Sequence, residues 1–529
     1  MVSNIKQKNM KNNFIYVALI AAGFASCEPE FENPVGQDFT AGEANFATYV
    51  SVGNSLTAGY MDGTVSRVGQ TYSFPNLLAQ QFALVGGGEF TQPSFEDDKN
   101  DLGGMDFQDP NKPNLSTRLV IDAAQGKPEP IAGTPTIKLT LQAKAFNNMG
   151  VPGAKSFHLL VPGYGSVANL PNANPYFIRH ATTPNSTVLA DAMSKNPTFF
   201  TNWIGANDVL AYATTGGIGT DRTGNPNIAA YGMNDITDPS AFAFHYNLII
   251  NGGTHPAFGA VTGLTQNGAK GVVATIPSVT SIPFFTTVPF NALPAEATAS
   301  NMAALQLYGF LAQVTNGRIM PLSTVAGTKN PVLIVDESLS DLSGTISGAA
   351  ATIPTLANFA TALGQLYGKA RQATANDLIL LTASGKIGQP NAAGTAPFNV
   401  NGVTFPLQDG DVLIPSEKLA IANATNAYNA SIRSIAASKN LAVADMNAIM
   451  NQLVSGLRAD NGTIYTANYF SGVASETKVL FSLDGVHPNA RGYAVIANEI
   501  IKVINAHYKA KLPLHNPNNF PGITILPTN

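Results

Sequence analysis

The chain has 529 residues, 45% of them apolar, which is enough for a large core and, on length alone, for two to four domains. Only 12% of residues are charged, about half the roughly 25% of an average soluble domain, so Asn, Thr, Ser, Gln, Ala and Gly must cover much of the surface. The net charge of -4 leaves no basic field and argues against nucleic acid as a partner, while a single cysteine, Cys27, excludes an intrachain disulfide.

The first element is a targeting segment. Lys6, Lys8 and Lys11 lead into an apolar run over residues 14–25, followed by Ser26 and Cys27. That is a charged region, a short hydrophobic region and small residues at a processing site. The run is shorter than the roughly 20 residues that span a bilayer. Phe24-Ala25-Ser26-Cys27 resembles a bacterial lipoprotein processing box, with Phe24 in place of the more usual Leu. The resemblance implies a Cys27 acylated after cleavage, a membrane anchor, and a lipid-anchored place in the cell envelope, at the outer membrane. A plain secretory signal or a buried N-terminal helix is the alternative. Residues 28–45 carry Glu28, Glu30, Glu32, Asp38 and Glu43 without Lys or Arg, the pattern of an extended acidic tether.

From Phe46 the pattern alternates between strands and helices. Residues 48–52 form a short strand and residues 73–82, with Phe74, Leu77, Leu78 and Phe82, a helix. The polar, acidic stretch 94–125 is expected to be a solvated loop. Residues 198–204 and 271–277, rich in aromatic and β-branched side chains, are strands. Gly216-Gly217-Ile218-Gly219 lacks the spacing of a dinucleotide loop and reads as a flexible turn. Residues 284–410, rich in Ala, Thr, Gly and Pro, stand apart as a large insertion folded onto the core as a cap or subdomain. Residues 416–438 follow as a helix with Ser416 as N-cap and Leu419, Ile421, Tyr428, Ile432 and Ile435 as its apolar positions. Residues 441–445 form a strand and 493–507 a final amphipathic helix. The alternation predicts an α/β fold with a mostly parallel sheet covered on both faces.

The chemistry lies at the two ends of this domain. Ser55 sits at a strand-to-turn junction between Gly53 and Gly59. Far downstream, Asp484 and His487 stand three residues apart. A serine must be activated by a base, and an imidazole held by a carboxylate is such a base. Of the seven histidines only His487 has an Asp at i-3; His158, His180, His245, His255, His507 and His515 read as structural or exposed. A Gly-x-Ser-x-Gly elbow, a His-Glu-x-x-His helix and a Walker loop are all missing from the sequence.

Four blocks together resemble the SGNH/GDSL hydrolases, a superfamily of esterases, lipases and acylhydrolases. They are Gly53-Asn54-Ser55-Leu56-Thr57-Ala58-Gly59, Asn147-Asn148-Met149-Gly150-Val151-Pro152-Gly153-Ala154, Gly205-Ala206-Asn207-Asp208 and Asp484-Gly485-Val486-His487-Pro488, in the family's order. The resemblance implies a flavodoxin-like three-layer α/β/α fold and a catalytic triad of Ser55, Asp484 and His487. It also implies an oxyanion hole made by the backbone N–H groups of Ser55 and Gly153 and the side-chain amide of Asn207. Asn54 stands where the family usually has Asp, and the insertion departs from the family's shorter members. The implied activity is hydrolysis of carboxylic esters, of lipid or acylated-glycan type, without metal or organic cofactor. A carbohydrate acetyl esterase, or a glycan-binding surface lipoprotein that kept the fold without the chemistry, stands beside it.

Overall fold

The computed structural model describes residues 38–529, apart from 110, 111, 113, 123–126, 300, 461, 473–476 and 527–529. Cys27, its processing box and residues 28–37 of the expected tether lie outside the described residues. Glu43 and Ala44 belong to the compact unit Ala41–Asn529. The Glu43 N–H donates to the Tyr508 carbonyl (2.7 Å) and Ala44 is buried.

Five short strands make an all-parallel central sheet: β1 Tyr49–Gly53, β2 Asn148–Gly150, β3 Phe199–Trp203, β4 Lys270–Ala274 and β5 Ala442–Ala444. The side-chain alternation of β1 shows why both faces need cover. Val50 and Val52 point into one apolar cluster, Tyr49 into another. Helices supply the cover. In chain order they are α1 Ser55–Ala58, α2 Phe74–Ala83, α3 Val188–Met193, α4 Asn207–Thr214, α5 Pro239–Asn251, α6 Pro415–Ser438, α7 Met446–Ser455 and α8 Ala490–Tyr508. Side chains of α3, α5 and α6 pack on the Val50 face, and those of α2 and α8 on the Tyr49 face.

The strands lie in the order β2-β1-β3-β4-β5. The chain therefore runs from β1 to a neighbour on one side and then crosses to β3 on the other. Connections leaving β1 and β3 diverge, and in open α/β sheets the resulting crevice at the carboxyl ends of the strands is where ligands bind. Gly53 pairs with both Gly150 and Trp203, so three strand ends meet at that crevice.

The segment between β4 and α6 has its own core. Leu307, Tyr308, Leu333, Ile334, Leu363 and Tyr367 belong to a cluster that runs from Leu293 to Ile414 and is separate from those of the sheet. Its strand Leu333–Val335 pairs antiparallel with Ala370–Gln372. Arg371 from the second of these bonds Asp336 (2.6 Å) and Asp377 (2.7 Å).

Three local expectations are corrected. Helix α6 starts at Pro415, with Ile414 rather than Ser416 as its cap, because proline fits the first helical position and the Glu417 carboxylate takes the Ile414 N–H (2.8 Å). Leu419 is 61% exposed. It stands two residues from buried Ile421, about 200° around a helix, and so faces outward. Within 94–125, Asp98 and Met105 are fully buried and Leu119–Asp122 is a strand; Asp98 accepts the N–H groups of Arg67 (2.9 Å) and Gly103 (3.1 Å). Residues 215–217 form the expected turn, and a Cβ on Gly217 would lie 1.7 Å from Glu417 Oε1.

Candidate active site

The nucleophile block is shaped by the turn that follows β1. A Cβ on Gly53 would lie 2.2 Å from Thr57 Oγ1 and 2.6 Å from the Trp203 carbonyl, so only glycine lets α1 fold back against the strand end. Asn54 caps α1, its Oδ1 accepting the Leu56 N–H at 3.1 Å. Asn and Asp cap helices about equally well, which accounts for Asn54 without any need for charge. Gly59 ends the turn in the left-handed region, φ 79°. Ser55 is thereby the first residue of a helix, at the carboxyl end of β1.

The Asp484–His487 segment is a tight turn that holds its own imidazole. Asp484 Oδ1 accepts the N–H groups of Val486 and His487, both at 2.8 Å. This wraps the chain so that Asp484 Oδ2 meets His487 Nδ1 at 2.9 Å. The other ring nitrogen, Nε2, lies 2.8 Å from Ser55 Oγ across 432 residues of sequence. With Nδ1–H donated to the carboxylate, Nε2 is the acceptor for the serine hydroxyl. Burial alone would raise the Asp484 pKa, but the His487 charge and hydrogen bonds, with the backbone N–H groups of His487 and Val486, hold it below its ordinary value. Asp484, His487 and Ser55 are thus brought together in one hydrogen-bonded relay.

A second turn braces the relay, and the sequence reading missed it. The Gly63 N–H donates to Asp484 Oδ2 (3.1 Å), and Asp62 Oδ1 accepts the Leu483 N–H (3.0 Å). Ser482 Oγ donates to Asp484 Oδ1 (3.0 Å) and accepts the Asp62 N–H (3.0 Å). Tyr60, whose hydroxyl donates to the Gly63 carbonyl (2.5 Å), lays its ring 4.5 Å from that of His487. Asp62 is 3% exposed. Burial, opposed by the Leu483 N–H and reinforced by the Asp484 charge, pushes its pKa up to about 7. No motif marks this turn; its residues are ordinary until the fold sets them against the histidine loop.

The other two expected blocks follow the ends of the strands flanking β1. Gly153 comes three residues after β2 and is exposed; Asn207 opens α4, four residues after β3. Asn207 Nδ2 donates to the Ala154 carbonyl (2.9 Å), which ties the two blocks to each other and leaves one amide hydrogen. Among the described residues, no acceptor meets the backbone N–H of Ser55 or of Gly153. Asp208 is the brace here: its carboxylate takes the N–H and hydroxyl of Ser156, both at 2.8 Å. Burial raises the Asp208 pKa against the opposing pull of Lys155 and the Ser156 bonds.

Four of the other histidines are accounted for by packing. Burial drives His158 and His180 down to about 3 and His245 to about 4. His245 Nδ1 donates to the Ala241 carbonyl (2.6 Å). His255 Nδ1 accepts the N–H groups of Ala257 and Phe258, so its Nε2–H donates to His245 Nε2 (3.3 Å). Against protein-family models, curated proteins and solved structures, the chain matches none.

Proposed function

We propose that the chain is a serine esterase of the SGNH/GDSL type, hydrolysing carboxylic esters through an acyl-enzyme. The observation that carries the reading is the continuous relay Asp484–His487–Ser55, with contacts of 2.9 and 2.8 Å. The strand order β2-β1-β3-β4-β5 is that of flavodoxin-like sheets, whose ligand crevice lies between β1 and β3, and it supports the same family.

In this mechanism Ser55 Oγ attacks the ester carbonyl while His487 Nε2 takes its proton. Asp484 keeps the imidazole in the tautomer that accepts it and stabilises the imidazolium. The negative charge on the carbonyl oxygen is met by the N–H groups of Ser55 and Gly153 and by the Asn207 amide. Each such donor is worth about 100- to 1,000-fold in turnover. His487 then protonates the leaving alcohol, and water, activated by the same nitrogen, releases the acid. Neither a metal nor an organic cofactor takes part. The anchor at Cys27, and with it a place at the outer membrane, belongs to the same proposal and rests on residues 6–27 of the sequence.

Hydrolysis of p-nitrophenyl esters from acetate to palmitate tests the reading. Turnover that is lost in Ser55→Ala supports it. A folded parent protein inert toward every chain length, or a Ser55→Ala variant as active as the parent, refutes it.

A further inference from the structure

Beside the relay lies an apolar cavity of about 110 Å³ between α7 and α8. Three of its lining residues are chain neighbours of the reacting groups: Leu56 follows Ser55, and Val486 and Pro488 flank His487. Met450 and Leu453 of α7 and Val495 of α8 also line it. No charged residue lines it, so a sugar ring or a carboxylate would lose its hydrogen bonds to water on entering, without replacement. A hydrocarbon chain loses nothing. The cavity is partly open to solvent. Here it is set against the two residues that would carry out the chemistry.

We infer that this cavity is the acyl-chain pocket, and that the preferred substrates are esters of short to medium fatty acids rather than acetylated glycans. The inference rests on the esterase reading and names the substrate class of that site. The acyl carbon would be bonded to Ser55 in the intermediate, and Leu56 on the next residue lines the pocket. An apolar cavity of about 150 Å³ holds one benzene ring, so 110 Å³ takes about four carbons. With the carbonyl carbon and one carbon to reach the pocket, the best acyl group has about six carbons. An acetyl group is too short to enter.

Each methylene buried is worth about 0.8 kcal/mol, or about fourfold. The specificity constant kcat/KM on p-nitrophenyl esters is therefore expected to climb about fourfold per carbon from acetate to hexanoate and then level or fall. Leu453→Trp and, independently, Met450→Phe fill the cavity. Each is expected to cut the hexanoate-to-acetate ratio at least about tenfold while the protein keeps a cooperative melting transition. An unchanged ratio in both folded variants overturns the pocket. So does a chain-length gradient that appears in an alcohol series of acetate esters instead of the acyl series. If the parent hydrolyses no ester, the esterase reading fails separately, and the pocket is then read by binding. Hexanoate raising the melting temperature of the parent but not of Leu453→Trp supports it, and no shift in the parent overturns it.

Discussion

Asp484 does two things with one carboxylate. Oδ1 closes its own turn through the N–H groups of Val486 and His487, and Oδ2 fixes the imidazole. Asp484→Asn keeps the shape but favours the wrong imidazole tautomer; turnover is expected to fall about 10⁴-fold, measured on whichever ester the parent prefers. Asp62 makes a prediction of opposite character. Its carboxyl holds a proton to about pH 7 in the fold, against an ordinary value of 3.8. The folded state therefore binds more protons than the unfolded chain in that window. Its contribution to stability is complete below about pH 4 and is lost as the pH rises toward and through 7. Asp62→Asn keeps an acceptor for the Leu483 N–H and has no charge to bury. Its melting temperature should exceed the parent's at pH 8 and approach or fall below it at pH 4 to 5. A constant difference across that range would refute the assignment.

At the level of elements, the sequence is most legible where a pattern is local. The strands β1, β3 and β4 were readable because aromatic and β-branched runs end at glycine or proline, and their observed limits differ from the expected ones by three residues or fewer. The Asp484–His487 pair was readable for the same reason: its contact spans one turn. The brace at Asp62–Gly63 was not, since its bonds to the loop cross 421 residues and its residue types are those of any turn. Segment 94–125 is not legible as structure because Asp98 and Met105 are buried by irregular backbone, which leaves no period to read. Segment 284–410 stands apart by composition, but its internal bracing leaves no local pattern in the sequence. Arg371 bridges Asp336 and Asp377 with its side chain only 14% exposed. Arg371→Met leaves both carboxylates unpaired and should lower stability by about 3 kcal/mol, seen as a lower urea midpoint. A midpoint equal to the parent's would show that these pairs contribute nothing net.

Over the whole molecule, the relay depends on the two ends of the domain closing on each other. Ser55 lies on the first strand connection, and His487 stands just before α8, whose Tyr493, Ile501 and Ile504 fill one face of the sheet. The Tyr493 hydroxyl reaches back to the Tyr60 carbonyl (2.7 Å) beside the histidine ring. Removing residues 489–529 uncovers that face and should abolish cooperative unfolding as well as activity. A truncated chain with a sharp melting transition would contradict this account of the core.

The central claim is that His487 activates Ser55, and it can be measured without knowing the substrate. A fluorophosphonate that reacts with activated serines, followed by peptide mass mapping, should label the folded parent at Ser55. Labelling should disappear in Ser55→Ala and fall steeply in His487→Ala. A folded parent that takes no label, or takes it at another residue, would contradict the account.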